Sequence, residues 1–219
     1  NYVFDGFYNE TNPEWFQGSS YTHGACAYIL REGNIGQGFI QDVVHAPNYF
    51  HTALRNRWYG QQNDNFGNPQ SLQTVAVHIY APNRYNNILG NVLGTTGYHT
   101  KYEAYPASAA DCDTSVFALG FGGNCGNGTV DNAADVRTSL LRWGNYDTVN
   151  AAVRWQSSEV PTADANYPSS TPATNTVPSS LFRSKKPPYW GSTIPWPPIG
   201  PDITSGNLSN SGGYANKNP

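Results

Sequence analysis

The stretch 83-NRYNNILGNVLGTTG-97 contains two near-copies of one tetrapeptide, NILG at residues 87–90 and NVLG at residues 91–94. Apolar pairs alternate here with Asn and Gly, which leaves no polar face wide enough for an amphipathic helix. Glycine, and after it asparagine, tolerates the left-handed φ that tight corners require. The stretch therefore predicts short strands separated by corners, and asparagines stacked at one corner can hydrogen-bond to one another in a ladder.

Short β-rich segments recur through the first 160 residues, bounded by Gly, Asn or Asp, as strands and turns are. They are YVFDGF (2–7), CAYIL (26–30), GFIQDVV (38–44), HTALRNRWYG (51–60), TVAVHIY (74–80), NNILGNVLG (86–94), SVFALGF (115–121), SLLRWGNY (139–146) and AAVRW (151–155). The anchors Phe4, Ile29, Leu54, Ile88, Phe117 and Leu141 are 24 to 34 residues apart, and a period of about 20–50 residues indicates a solenoid. We predict an all-β parallel β-helix over residues 1–160; the alternative is an antiparallel β-sandwich.

The overall composition limits the function classes. Charged residues make up 12% of the 219, about half the usual share, and the net charge of −3 comes with no basic run. A nucleic-acid partner is therefore not expected. Without an apolar run of about 18 residues, no membrane span is expected either. The chain has no methionine, so we interpret it as a trimmed piece that lacks upstream rungs, and we predict an extracellular location.

The composition changes near residue 160. Eleven of the sixteen prolines lie at or after Pro161, and proline is unsuited to helix interiors and central strands. We therefore predict that residues 161–219 form an extended, irregular C-terminal segment. This segment carries Tyr189, Trp190 and Trp196, and because disordered linkers seldom carry such large rings, we expect it to pack on the strand region.

The segments VFDGF, HTALRNRWYG, NNILGNVLG and LLRWGNYDTVNAAVRW, with the tail SLFRSKKPPYWGSTIPWPPIGPDI, carry a family resemblance. Together they resemble bacterial secreted right-handed parallel β-helix repeat proteins of the pectate-lyase-like superfold, over residues 1–203. The resemblance implies a right-handed β-helix and an extracellular habitat. That superfold hosts polysaccharide lyases, glycoside hydrolases, phage tailspikes and inert adhesins, so it does not select a function. No catalytic motif of the family matches this sequence.

The densest polar cluster in the sequence lies at residues 41–57, QDVVHAPNYFHTALRNR. Its candidate catalytic residues are Asp42, His45, His51 and Arg55. A polysaccharide lyase needs a base and a cation that stabilises the enolate, and Asp42 with Asp64 offers oxygens for Ca²⁺. The simpler interpretation, which we favour, is that Arg55 and Arg57 are solvated side chains and that the two histidines are ordinary loop residues.

A second cluster comprises His78, Arg84, His99, Lys101 and Glu103. His99 and Lys101 join the weak catalytic candidates. Histidines from neighbouring loops can bind zinc, but their spacing matches no compact ligand pattern, so we predict no metal site and no cofactor.

The aromatic residues are the remaining candidates for ligand binding, because flat rings with polar tips suit sugars and protein interfaces. The candidates are Tyr49, Trp58, Tyr59, Tyr80, Tyr85 and Tyr98. The alternative for each ring is internal packing. We also predict a disulfide between Cys112 and Cys125 and glycosylation at the sequons of Asn9, Asn127 and Asn207.

We predict an extracellular structural or surface protein that engages in assembly, adhesion or glycan contact, without catalysis. Its expected partners are a polysaccharide, a cell-surface glycan or other copies of itself. The alternative is a carbohydrate-active enzyme, a polysaccharide lyase or glycoside hydrolase, that uses the His/Arg loop face.

Overall fold

The computed structural model describes residues 20–22, 26–45, 47–63, 66–109, 111–125, 130–162, 170–192 and 195–203. The strands are β1 (Ser20–Thr22), β2 (Leu30–Glu32), β3 (Ile35–Gly36), β4 (Phe39–Gln41), β5 (Thr52–Leu54), β6 (Arg57–Trp58), β7 (Val77–Ile79), β8 (Asn87–Leu89), β9 (Val92–Leu93), β10 (Lys101–Ala104), β11 (Ser115–Leu119), β12 (Leu141–Trp143), β13 (Asn145–Asp147) and β14 (Ala152–Arg154). The described helical elements are α1 (Asp135–Thr138) and 3-10 turns at Ser157–Glu159 and Pro188–Trp190. Within those ranges, none of the helices has the length and apolar character needed to cross a bilayer.

The strands form three sheets. Sheet 1 has the order β1-β4-β7-β11-β10, sheet 2 the order β2-β5-β8-β12, and sheet 3 the order β3-β6-β9-β13-β14. Among the described strands, every pairing is parallel except that of β13 with β14. The chain passes through sheets 2, 3 and 1 in turn as β2-β3-β4, and again as β5-β6-β7. The predicted all-β class is confirmed, and the parallel pairing does not fit an antiparallel sandwich.

The predicted strand segments agree with the structure better than the predicted repeat does. YVFDGF lies outside the described residues, and each of the other eight segments overlaps a strand. The anchor spacing was wrong, because Leu54 pairs with Glu32 and Leu89 rather than with Ile29 or Ile88. Strands β1, β3 and β10 were not predicted.

Four asparagines form a hydrogen-bonded column where the chain passes from sheet 2 to sheet 3. They are Asn34, Asn56, Asn91 and Asn145, each at most 8% exposed. The backbone N–H and side-chain Nδ2 of Asn34 both donate to Oδ1 of Asn56, at 3.0 and 2.8 Å. Asn56 donates in the same way to Asn91, at 2.8 and 2.9 Å, and Asn91 to Asn145, at 3.0 and 2.9 Å. The predicted asparagine ladder is confirmed, with steps of 22, 35 and 54 residues.

The residue before each ladder asparagine has a positive φ. It is glycine at three of the corners, Gly33, Gly90 and Gly144, with φ of 70°, 59° and 66°. Arg55 takes this place at the fourth corner, with φ of 55°. Our expectation that asparagine itself adopts the left-handed conformation was wrong for the described residues, since those with positive φ include no asparagine. Asparagine instead stabilises the corner through its side chain, which forms hydrogen bonds with buried backbone groups.

The apolar core lies between the three sheets. Its fully buried members include Phe39, Trp58, Val77, Ile79, Ile88, Leu93, Phe117 and Leu119. Phe39 and Trp58 stack with ring centroids 5.4 Å apart. The outer face of sheet 1 is covered as well, because Ala118 and Phe121 pack there with the half-cystines. A strand that is buried on both faces carries apolar residues at most successive positions. This explains why apolar and polar residues do not alternate in TVAVHIY and SVFALGF.

Arg55 joins the proline-rich C-terminal segment to the strands. Its guanidinium is buried and donates five hydrogen bonds, to the carbonyls of Val177, Pro178 and Ile199 and to both carboxylate oxygens of Asp202. The two Asp202 contacts measure 2.6 and 2.8 Å. All five guanidinium N–H donors therefore have acceptors. The interpretation of Arg55 as a solvated side chain was wrong, because its corner lies beneath this segment.

We expect Asn91→Ala to lower the free energy of unfolding by about 3 kcal/mol, because it leaves several buried polar groups of Asn56, Asn145 and Ala53 without partners. Chemical denaturation measures this. The matched control is Asn87→Ala, since Asn87 is only half-buried and donates to the hydroxyl of Thr52, and we expect a loss below about 1 kcal/mol. Equal losses in the two variants would contradict a ladder that stabilises the fold.

We expect Asp202→Ala to loosen the C-terminal segment and to make its cleavage by trypsin after Arg183 and Lys185 about tenfold faster. Burial alone would raise the pKa of Asp202, but the hydrogen bonds and charge of Arg55 outweigh it and hold that pKa below 3.8. The ion pair's contribution is therefore complete above pH 3.8 and is lost as the pH falls through the lower native pKa. Asp131→Ala, at an exposed carboxylate, is the control; unchanged cleavage in Asp202→Ala would contradict the anchoring role.

Candidate functional site

Three aromatic rings stack in a column on the outside of the molecule, at the corner that leads into sheet 2. They belong to Tyr28, Phe50 and Tyr85, and neighbouring ring centroids are 5.1 and 5.3 Å apart with interplanar angles of 9° and 14°. Each of the three residues has a positive φ, between 57° and 59°. That conformation is unfavourable for a bulky residue, so the stacked contact offsets a backbone cost. Tyr28 is 80% exposed, so the column lies at the surface.

The column stops at Tyr85. Asn87 pairs with Leu141 in the sheet, so the same register places Ser139 opposite Tyr85, and the Tyr85 N–H lies 3.4 Å from the Ser139 hydroxyl. Ser139 has no ring to continue the stack. A cavity of about 490 Å³ opens at this place, and Tyr85, Ser139 and Leu140 contribute to its lining. The described part of the ring column thus borders this cavity.

The cavity lining is predominantly cationic. Among the described residues, Arg84, Arg137 and Arg142 line it together with one carboxylate, that of Asp135. Arg84 Nε is 2.5 Å from Asp135 Oδ2. Arg137 and Arg142 hold the carboxylate of Glu103 from two sides, at 2.6 and 2.8 Å. Three guanidinium groups against one lining carboxylate favour a ligand that carries oxygen acceptors or a negative charge.

Glu103 keeps Arg137 and Arg142 in place. Burial alone would raise the pKa of Glu103, but the hydrogen bonds and charges of Arg137 and Arg142 outweigh it and hold that pKa below its ordinary value. Behind them, Glu159 accepts from Arg154 at 2.6 Å and from the Tyr102 hydroxyl at 2.9 Å. Burial raises the pKa of Tyr102, and the charge of Glu159 adds to this effect. The charges of Arg142 and Arg154 oppose it without cancelling it. The wall of the cavity is thus a fixed charge network.

Among the ring candidates from the sequence, the structure places Tyr85 in this site. Tyr49 is half-buried beside it, with its centroid 5.9 Å from that of Tyr85. Trp58 is a core residue, fully buried, and offers no surface to a ligand. Tyr59 packs against the guanidinium of Arg57, 4.9 Å away.

The other two ring candidates also have internal partners. The Tyr80 hydroxyl donates to Gln73 at 2.7 Å, and its side chain is buried. The Tyr98 hydroxyl donates to the carbonyl of Gln70 at 3.3 Å. For these rings the packing alternative describes the structure better than ligand contact does.

The structure does not gather the candidate catalytic residues into one described site. Asp42 is buried and accepts from the N–H groups of Val44 and His45, and from the His45 ring. His51 contacts Arg31 at 3.0 Å. Lys101 forms an exposed ion pair with Asp111 at 3.2 Å.

The arginines of this cluster serve structural contacts. Arg55 binds the C-terminal segment, and Arg57 is buried and donates to the carbonyl of Gly94 at 2.7 Å. The interpretation of Arg57 as solvated was therefore wrong. The proposed calcium ligand Asp64 and the sequons of Asn9, Asn127 and Asn207 lie outside the described residues. The disulfide between Cys112 and Cys125 is confirmed, with a Cα–Cα distance of 5.2 Å.

The sequence prediction missed Tyr28, Phe50, Asp135, Arg137 and Arg142. An alignment on the ladder asparagines exposes the signal. This alignment matches four segments that each end at a ladder asparagine: CAYILREGN (26–34), NYFHTALRN (48–56), NRYNNILGN (83–91) and RTSLLRWGN (137–145). The third position is then aromatic in the first three segments and serine in the last. Unequal spacing hid the alignment, because loops of different length separate the four segments.

Three histidines are buried, and burial lowers the pKa of each. The pKa of His51 falls to about 4, that of His99 to about 4 and that of His78 to about 3. Hydrogen bonds with backbone groups oppose the shift at His51 and His99 without cancelling it. All three are therefore neutral at pH 7 in the native state.

We expect the free energy of unfolding to fall steeply between pH 6.5 and pH 5. The unfolded chain binds protons near pH 6.5 while the native histidines stay neutral, so each histidine lowers stability by up to about 1.4 kcal/mol per pH unit. Denaturation at pH 7, 6 and 5 measures the slope, and His78→Phe removes one of the three contributions. An unchanged slope in His78→Phe would contradict a buried, neutral His78.

Comparison with protein-family models, with curated proteins and with solved structures gives no match, so the function is inferred from the geometry of the site.

Proposed function

We propose that the chain is a non-catalytic surface protein, a right-handed parallel β-helix whose flank binds glycan chains at the site beside Tyr85. The parallel pairing, the repeated passage through sheets 2, 3 and 1 and the asparagine ladder support the β-helix. Right-handedness and an extracellular location rest on the sequence resemblance. End-to-end assembly of copies stays a prediction, because residues 1–19 lie outside the described ones.

The observation that carries the proposal is the cavity beside Tyr85, whose described lining combines an aromatic ring with three guanidinium groups. Tyr85 has Phe50 stacked at 5.3 Å on one side, and its register neighbour on the other side is Ser139. A pyranose ring is close to a phenol ring in size, and its C–H face packs on an aromatic face. A sugar bound in the cavity would contact the Tyr85 side chain that lines it. The adjacent guanidinium groups supply donors to the sugar oxygens.

The charges of the lining favour an acidic sugar. Three arginines and one carboxylate face the cavity, and guanidinium groups bind carboxylates with two parallel hydrogen bonds. A uronic acid unit combines the flat ring with the carboxylate. We therefore propose uronate-containing polysaccharide as the ligand class.

The enzyme alternative has less support. The predicted His/Arg loop face has His51, Arg55 and His99 buried, and each has its own partners. Glycoside hydrolysis uses two carboxyl groups across the scissile bond, whereas Asp135 is the carboxylate of the described cavity lining. The site beside Tyr85 thus favours binding over turnover.

Calorimetric titration with a uronic-acid hexasaccharide and with a neutral glucose hexasaccharide tests the proposal. We expect tighter binding of the uronate, weakened about tenfold in Tyr85→Ala because one ring contact of about 1 kcal/mol or more is lost. Tyr189→Ala, at another exposed ring, is the matched control and should bind like the native chain.

Arg84→Gln should reduce the preference for the uronate over the neutral sugar. Absence of binding to both sugars, or equal effects of Tyr85→Ala and Tyr189→Ala, would contradict the site. Shortened or unsaturated products in the titration mixture would favour the enzyme alternative.

A further inference from the structure

A second polar cluster lies on the outer face of sheet 1, away from the glycan site. Val77 and Ile79 of β7 point into the main core, so His78 between them projects from the opposite face of the sheet. The loop that the Cys112–Cys125 disulfide closes covers this face. His78 is fully buried there.

Neither ring nitrogen of His78 has a hydrogen-bond partner. An imidazole always carries a donor or an acceptor at each nitrogen, and buried polar groups nearly always find partners. The ring stacks on Tyr80, with centroids 3.9 Å apart, and this contact satisfies neither nitrogen. A buried group left unsatisfied lowers the stability of the fold, so His78 is retained at the expense of stability.

Two cysteine sulfurs lie close to this ring. A ligating nitrogen of His78 and the Sγ atoms of Cys112 and Cys125 all lie within 4.8 Å of one another. Apolar side chains of Val75, Ala104, Ala118 and Phe121 pack around the half-cystines. The three ligating groups thus share a compartment lined by apolar side chains.

We propose that reduction of the Cys112–Cys125 disulfide converts this cluster into a Zn²⁺ site with His78 as the third ligand. A phosphine or dithiol reductant supplies two electrons and is itself oxidised, the S–S bond breaks, and each sulfur takes up a proton. Zn²⁺ then displaces the two thiol protons into solvent and binds both thiolates and the neutral imidazole. The proposal does not depend on the glycan site.

Charge and ligand type select the metal. Two thiolates and one neutral imidazole around Zn²⁺ have zero net charge, which suits a buried apolar compartment. Cu⁺ in the same place would leave one uncompensated negative charge. Ca²⁺ and Mg²⁺ require oxygen ligands. The fourth position of a tetrahedral zinc is left for a water molecule.

Cobalt binding to the full chain tests the proposal. The chain is reduced with a phosphine, freed of reductant without oxygen and titrated with Co²⁺, whose tetrahedral visible bands and thiolate charge-transfer band report the ligands. We expect one Co²⁺ per reduced chain, displaced by Zn²⁺, and none bound by the oxidised chain. His78→Phe keeps the bulk and should weaken binding by more than about tenfold, because loss of an outer-shell partner alone costs 10- to 100-fold.

Cys26→Ser is the matched control, since Cys26 is the other cysteine and lies outside the disulfide, and this variant should bind like the native chain. Equal cobalt spectra in the native chain and His78→Phe would overturn the proposal, because cysteines of an opened loop would then bind the metal without the fold. Absence of cobalt bands in the reduced chain, or bands in the oxidised one, would overturn it as well.

Discussion

The corner between sheets 2 and 3 is the constraint on which the rest of the molecule depends. At each passage the chain turns from sheet 2 into sheet 3 within two residues, which buries backbone N–H and carbonyl groups that no strand can pair. A ladder asparagine accepts two hydrogen bonds from the asparagine of the neighbouring passage and donates to the next, as Asn56 and Asn91 do. The side chain thus replaces a strand partner at the corner, and it fixes the register of the sheets on both sides.

The same register determines which side chains are neighbours on the outer surface. Once the asparagines are aligned, the residues six positions earlier are aligned too, and Tyr28, Phe50 and Tyr85 form a continuous stack. At the next passage Ser139 takes the place of the ring, and the cavity that Tyr85 and Ser139 line lies there. One register therefore serves both stability and the candidate ligand contact.

The burial of charged side chains explains why the prediction that Arg55 and Arg57 are solvated was wrong. A chain with few charged residues is expected to expose them, yet Arg55, Arg57 and Arg142 are almost completely buried. Arg55 shows the reason, because five acceptors from a distant segment converge on one guanidinium. A buried guanidinium needs a full set of acceptors, and partners more than a hundred residues away cannot be identified from local sequence.

The sequence by itself determined the strand class and the residues of the corners, because these depend on residues that are neighbours in the chain: Gly90 next to Asn91, and Gly144 next to Asn145. It also predicted the pairing of Cys112 with Cys125. Only the tertiary structure decided which rings stack, which arginines face the cavity and that Trp58 belongs to the core. Loops of unequal length separate the passages by 22, 35 and 54 residues. Contacts between passages therefore depend on the register of the folded sheets, which no single stretch of the chain encodes.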